Sequence, residues 1–163
     1  MTPLTLYPQE IIQLQKGEVL VVRPVEPQPV GEIASMETAD DLTWLFYDKE
    51  GFNQFRKHPF GPVGSEIAIV GSELSESFNI PDFIAIHEGT TAERLECIGL
   101  QDCLDAGITL DYFNGPLNEL GYDLQLKYYR EEFKKYWNSR HPDFPWQDNP
   151  WAWLGKLKLK GEG

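Results

Sequence analysis

The sequence predicts an α+β fold, a small mixed β-barrel braced by helices, on three observations. Short apolar or alternating runs outnumber helical stretches along the chain. A long helical pattern from about Leu120 leads, through a proline-rich turn, into an alternating strand that opens Trp151-Ala152-Trp153. No repeat or linker divides the 163 residues, so 1–163 read as one domain.

In chain order, Leu4-Thr5-Leu6-Tyr7 is a first strand, and Pro8 opens a helix running to about Gln15 that Gly17 stops. Val19-Leu20-Val21-Val22 is β-branched and apolar, a buried strand with Arg23 at its tip. Pro24 to Pro29, three prolines in six residues, is an extended connector. Leu42 to Tyr47 and Glu66 to Val70 read as strands, separated by the loop Pro59-Phe60-Gly61-Pro62-Val63-Gly64. Phe83 to His87 and Ala92 to Cys97 read as two strands joined around Gly89. A short helix from Leu100 to Ala106 ends at Gly107, and residues 109–118 form a surface loop.

In the long helix, Leu126, Tyr129, Phe133, Tyr136 and Trp137 recur at steps of three and four and mark its buried face. Beyond Pro150, Trp151, Trp153, Leu157 and Leu159 share one side of the strand, with Ala152, Leu154, Lys156 and Lys158 on the other. Trp146, Trp151 and Trp153 can each bury about 150–250 Å². This is a core signature, not a ligand cage.

Composition narrows function. The formal net charge is -12, and residues 26–96 hold 14 acids against 4 bases, whereas residues 120–163 hold 6 acids against 8 bases. Holding duplex by its phosphates needs a basic face, so any nucleic-acid contact must be local or confined to a single nucleotide. No apolar run reaches the roughly 18 residues of a membrane span and no signal peptide opens the chain, which predicts a cytoplasmic protein without a membrane partner. Cys97 and Cys103 are too few for a disulfide framework, and His58, His87 and His141 are scattered. Neither a metal centre nor a cofactor is expected.

Four blocks carry a further signal. They are Lys16-Gly17-Glu18-Val19-Leu20-Val21-Val22-Arg23-Pro24-Val25-Glu26-Pro27-Gln28-Pro29; Pro59-Phe60-Gly61 through Gly71; Glu93-Arg94-Leu95-Glu96-Cys97-Ile98 through Gly107-Ile108; and Phe133 to Ser139 followed by Trp146 to Leu154. In order and spacing they resemble the ASCH family of the PUA-like β-barrel superfamily, in the branch found in phages and prophages. The ending Asn149-Pro150-Trp151-Ala152-Trp153 is the most specific of them.

The resemblance implies a cleft for RNA or a modified nucleobase, in the cytoplasm of a bacterial host. In the family's amidohydrolases, which remove an acyl group from N4 of cytidine, a Lys, a neighbouring Thr and a Glu form the catalytic set. Here the Lys position is Glu18, the Thr positions are Val19 and Val21, and the Glu position is Gly71. Valine can neither attack nor transfer a proton, so the catalytic pattern is absent and no catalytic residue is assigned.

The expected function is therefore a non-enzymatic module that recognises a nucleotide or RNA feature. Two alternatives stand beside it: an acidic protein that mimics nucleic acid or binds a basic partner, and a divergent hydrolase built on residues such as Glu73 and His58. Candidate ligand residues are Arg23, which either grips a phosphate or pairs with a carboxylate; Trp44 and Phe60, which either stack on a base or pack the rim; and His58 and Glu73. Lys127, Arg130, Lys134 and Lys135 form a basic helix face that either tracks RNA or is simply solvated.

Overall fold

The computed structural model describes residues 3–71, 83–110 and 121–160. Its elements, in chain order, are β1 (Leu4–Leu6), α1 (Pro8–Gln15), β2 (Glu18–Pro24), β3 (Ile33–Thr38), β4 (Thr43–Asp48), β5 (Asn53–Lys57), β6 (Glu66–Gly71), β7 (Phe83–Arg94), α2 (Leu100–Asp105), α3 (Tyr122–Arg140) and β8 (Trp151–Leu159).

The alternating Trp segment dictates the architecture, because β8 carries a core on each face. It lies between β7 and β2 in a five-stranded sheet of order β1-β6-β7-β8-β2, antiparallel except for the β1–β6 pair. Trp151, Trp153 and Leu157 join Val19 and Val21 of β2 in one apolar cluster, with Phe46 and Phe60. Ala152 and Leu154 join Leu20 and Val22 in the other, where Phe133 and Trp137 of α3 cover them. The period-2 alternation of β2 and β8 is thus satisfied twice over.

A second sheet, β3-β4-β5, lies over the first cluster. Phe46 of β4 stands edge-on to Trp151 and Trp153, with ring centroids 5.4 and 6.0 Å apart. Only β4 was expected from sequence. Its neighbours are edge strands with half-exposed patterns, so their sequences carry too little apolar alternation to announce them.

Three local expectations need correction. The two strands around Gly89 are one twelve-residue strand, β7, with a bulge between His87 and Gly89. The backbone of His87 pairs with the Gly64–Ser65 loop, so the extra residue is absorbed by local distortion without a chain reversal. The end of the second expected strand, Leu95–Cys97, is a 3₁₀ turn. The expected surface loop at 109–118 lies mostly outside the described residues.

The barrel is also corrected: among the described residues the strands form two sheets and no closed barrel. β1 is only three residues long and pairs with β6, while β2, at the other edge, ends in Pro24, which has no N–H to offer a neighbour. Where a barrel would need β1–β2 backbone pairing, a side chain bridges instead: Arg23 Nη2 donates to the Thr5 carbonyl at 3.0 Å. No helix among the described residues is long and apolar enough to cross a membrane.

Candidate functional site

The unpaired seam between β1 and β2 leaves a cleft of about 570 Å³, closed at its far end by the last turn of α3 and the segment after it. Such a volume lies within the usual range for small-molecule sites, about 300–1,000 Å³. One part of its wall is apolar, from Leu4, Pro24, Pro59, Phe144 and Trp153; the other is charged, from Arg23, Lys57, Arg140 and His141, with Glu26 and Asp143.

Helix α1 builds the seam. Glu10 and Leu14, one turn apart, both turn inward, and Glu10 is almost completely buried. Its carboxylate accepts the Tyr7 backbone N–H at 2.8 Å, fixing the helix start. The same carboxylate takes Arg23 in a two-pronged pair, Nη1 to Oε2 at 2.9 Å and Nη2 to Oε1 at 2.8 Å. Nη1 also donates to the Val22 carbonyl. With the bond to Thr5, both terminal nitrogens of Arg23 are fully committed within the chain. Burial opposes the charge on Arg23, but Glu10 outweighs it and lifts the guanidinium pKa above its ordinary value. Arg23 lines the cleft as a neutralised, rigid wall and offers no fork to a ligand.

Arg140 differs. It stands over the Tyr7 ring, 4.5 Å from the centroid, while Arg23 stands over the same ring at 4.6 Å. Among the described residues no carboxylate or carbonyl accepts a hydrogen bond from Arg140 or from Lys57. His141 caps α3, its backbone N–H donating to the Trp137 carbonyl at 2.8 Å, and its ring lies against the Trp137 indole, 4.4 Å between centroids. Burial, then the charges of Arg23 and Arg140, push its imidazole down to about 4, so it is neutral at pH 7. Its Nε2 is buried without a partner, as is the Tyr136 hydroxyl, whose pKa burial and Glu10 raise. Both atoms are closed off from the cleft, so neither offers a hydrogen bond to a molecule lying in it.

The other residues singled out from sequence lie elsewhere. His58, a candidate ligand residue, is buried. Its Nδ1 accepts the Phe60 N–H at 3.3 Å and its Nε2–H donates to the Asp41 carbonyl at 2.7 Å, so both nitrogens are occupied and burial lowers its pKa. Phe60 is fully buried under Gly155, where a Cβ would come within 2.5 Å of its ring; no base can stack on it. Trp44 is half-buried and edge-on to Trp153 at 6.3 Å, beside a separate cavity of about 230 Å³. Glu73 lies outside the described residues. Arg130 is tied to the Ile98 and Glu96 carbonyls at 2.7 and 2.8 Å. Lys127 and Lys134 line a groove shared with Glu96, Asp123 and Glu131, and Lys135 pairs with Glu132 at 3.8 Å. That helix face is mixed in charge.

Sequence reasoning missed Tyr7, Glu10, Lys57, Arg140 and His141. One of them had a readable signal: Glu10 falls one helical turn before Leu14 on the inward stripe, and an acid there requires a cation. No cluster of His, Cys, Asp and Glu among the described residues could hold a metal ion. Comparison of the chain with family models, with curated proteins and with solved structures finds no match.

Proposed function

We propose that the protein is a non-enzymatic module of ASCH, PUA-like type that recognises a nucleotide or RNA feature in the cleft between β1, β2 and the end of α3. The observation that carries this is the cleft itself: in a chain of net charge -12 it brings Arg140 and Lys57, neither of them in an ion pair among the described residues, to one apolar-sided cavity, beside the neutralised Arg23 and with Glu26 and Asp143 on the same lining. A planar ring bearing an anionic group fits both halves of such a wall.

The family assignment rests on the resemblance and draws support from how its blocks meet. Gln28, of the Pro-Gln-Pro block, accepts the Trp151 N–H at 2.7 Å and donates to the Trp151 carbonyl at 2.9 Å. Asn149, in the left-handed conformation before Pro150, accepts the Glu96 N–H at 3.0 Å, and its carbonyl accepts from Arg94 at 3.0 Å. Blocks distant in sequence thus hold one another at the start of β8. The non-enzymatic reading rests on the amidohydrolase positions: Val19 and Val21 are core residues, and Gly71 carries no side chain.

A thermal-shift screen against nucleosides, nucleotides and short RNAs tests the proposal. A true ligand at 100 times its Kd stabilises by about 2.7 kcal/mol. Indifference to every nucleoside, nucleotide and RNA refutes it. A second reading then takes over, favoured by the exposed acids Glu32, Glu37, Asp40, Asp41 and Glu50 on and around the second sheet. Such a surface binds a basic protein with an affinity that collapses as salt rises.

A further inference from the structure

The cations of the cleft are not equivalent, and their difference specifies the ligand. Arg23 is neutralised by Glu10 and its terminal nitrogens are committed. Arg140 keeps its donors: it touches the Tyr7 ring and, among the described residues, hydrogen-bonds to nothing. Lys57 reaches the same cleft from the end of β5 without an ion pair there.

We propose that Arg140 and Lys57 form a subsite for the phosphate monoester of a single nucleotide, whose base lies against Pro59 and Phe144. This rests on the nucleotide reading of the cleft and deepens it. Arg140 supplies a planar fork for two phosphate oxygens. The carbonyl end of α3 works against an anion at this place, so Arg140 alone does not suffice and the second cation, from β5, is required.

The same charges exclude a longer strand. A chain at -12 repels each added phosphate, and Arg140 with Lys57, the latter within the field of the Asp40 carboxylate, neutralise at most one phosphate group, not a run of them. A phosphate monoester concentrates up to two negative charges in a single contact, which Arg140 and Lys57 together can balance, while Glu26 and Asp143 on the same lining repel any further phosphate.

The test is calorimetric titration of the full chain at pH 7.5 and fixed ionic strength. The probes are AMP, GMP, CMP and UMP, the four matching nucleosides, and inorganic phosphate. At least one monophosphate should bind ten-fold or more tightly than its nucleoside. Arg140→Gln should erase most of that difference, about ten- to hundred-fold for a charged hydrogen-bonded contact, while nucleoside affinity stays put. Arg140→Lys should restore only part, because it returns the charge without the fork. Lys57→Gln, at an exposed position, should weaken monophosphates alone, and it carries the test if Arg140→Gln does not fold.

Equal binding of nucleoside and monophosphate, or a difference that survives both substitutions, overturns the subsite while leaving nucleotide recognition standing. Inorganic phosphate binding lost in Arg140→Gln, with no nucleoside or nucleotide bound, upholds an anion site and overturns the nucleotide reading. No binding of any probe overturns both.

Discussion

Arg23 and Arg140 stand over one tyrosine ring at nearly the same distance, yet they belong to different parts of the molecule's work. Arg23 arrives on a strand edge opposite a helix that carries a buried carboxylate, so it is absorbed into the fold. Arg140 arrives on the last turn of a long helix, where the dipole welcomes a cation but no acid meets it. The lesson is that a cation's role follows from the partner supplied to it, not from its exposure or its place in a motif. One arginine closes a sheet; the other faces a cleft.

Stability separates them most sharply. Glu10→Ala leaves Arg23 buried and uncompensated and should cost about 3–5 kcal/mol, read from urea denaturation. Arg140→Ala should cost no more than about 1 kcal/mol, the size of an exposed cation–π contact. Equal losses in the two variants would erase the distinction. The paired replacement Glu10→Leu with Arg23→Met should recover much of the loss, because no buried charge then remains.

A second contrast sets aromatics of the core against those of the cleft. Gly155→Ala pushes a methyl into the Phe60 ring, which is fully enclosed, and should cost about 1–3 kcal/mol. Were Phe60 a mobile stacking platform, the ring would swing aside and the melting temperature would hold.

How far the sequence reached follows the same division. β2 and β8 were legible because both their faces are apolar and their periods are clean. α1 was legible because Pro8 and Gly17 punctuate it, with Gly17 at φ 127°. The lateral strands β3 and β5 were not, since half their side chains meet water. The cleft was not legible either, because Tyr7, Lys57 and Arg140 meet there only after the sheets have folded. Arg23 stood out as a charge ending an apolar run, but its meaning depended on Glu10, thirteen residues earlier.

His141 probes the ground between the two arginines. Its folded-state pKa of about 4 lies below the ordinary 6.5, so the unfolded chain takes up a proton first as pH falls. The corresponding stability is present above pH 6.5 and drains away toward pH 4. Discounted for its partial exposure, the loss should be about 1 kcal/mol between pH 7 and 5. His141→Gln should flatten that part of the pH profile. If the profile is unchanged, burial and the two guanidiniums do not hold the ring neutral as the geometry implies.

The smallest effect is expected on the outer face of α3. Lys134 and Lys135 are exposed, and the Lys135–Glu132 pair at 3.8 Å lies on the surface, where such pairs are worth a few tenths of a kcal/mol. Reversing both to Glu lowers the net charge by four in a chain already at -12, so any ligand feels more general repulsion. Salt of about 0.15 M screens that repulsion beyond roughly 8 Å. Stability should therefore move by less than about 0.5 kcal/mol, and monophosphate affinity by less than about three-fold at that salt. Arg140, on the same helix, should matter far more despite being a single charge, because it faces the ligand. A loss of ten-fold or more on reversing the lysines, with binding that weakens steeply as salt rises, would place the interface on this helix face and empty the cleft of its role.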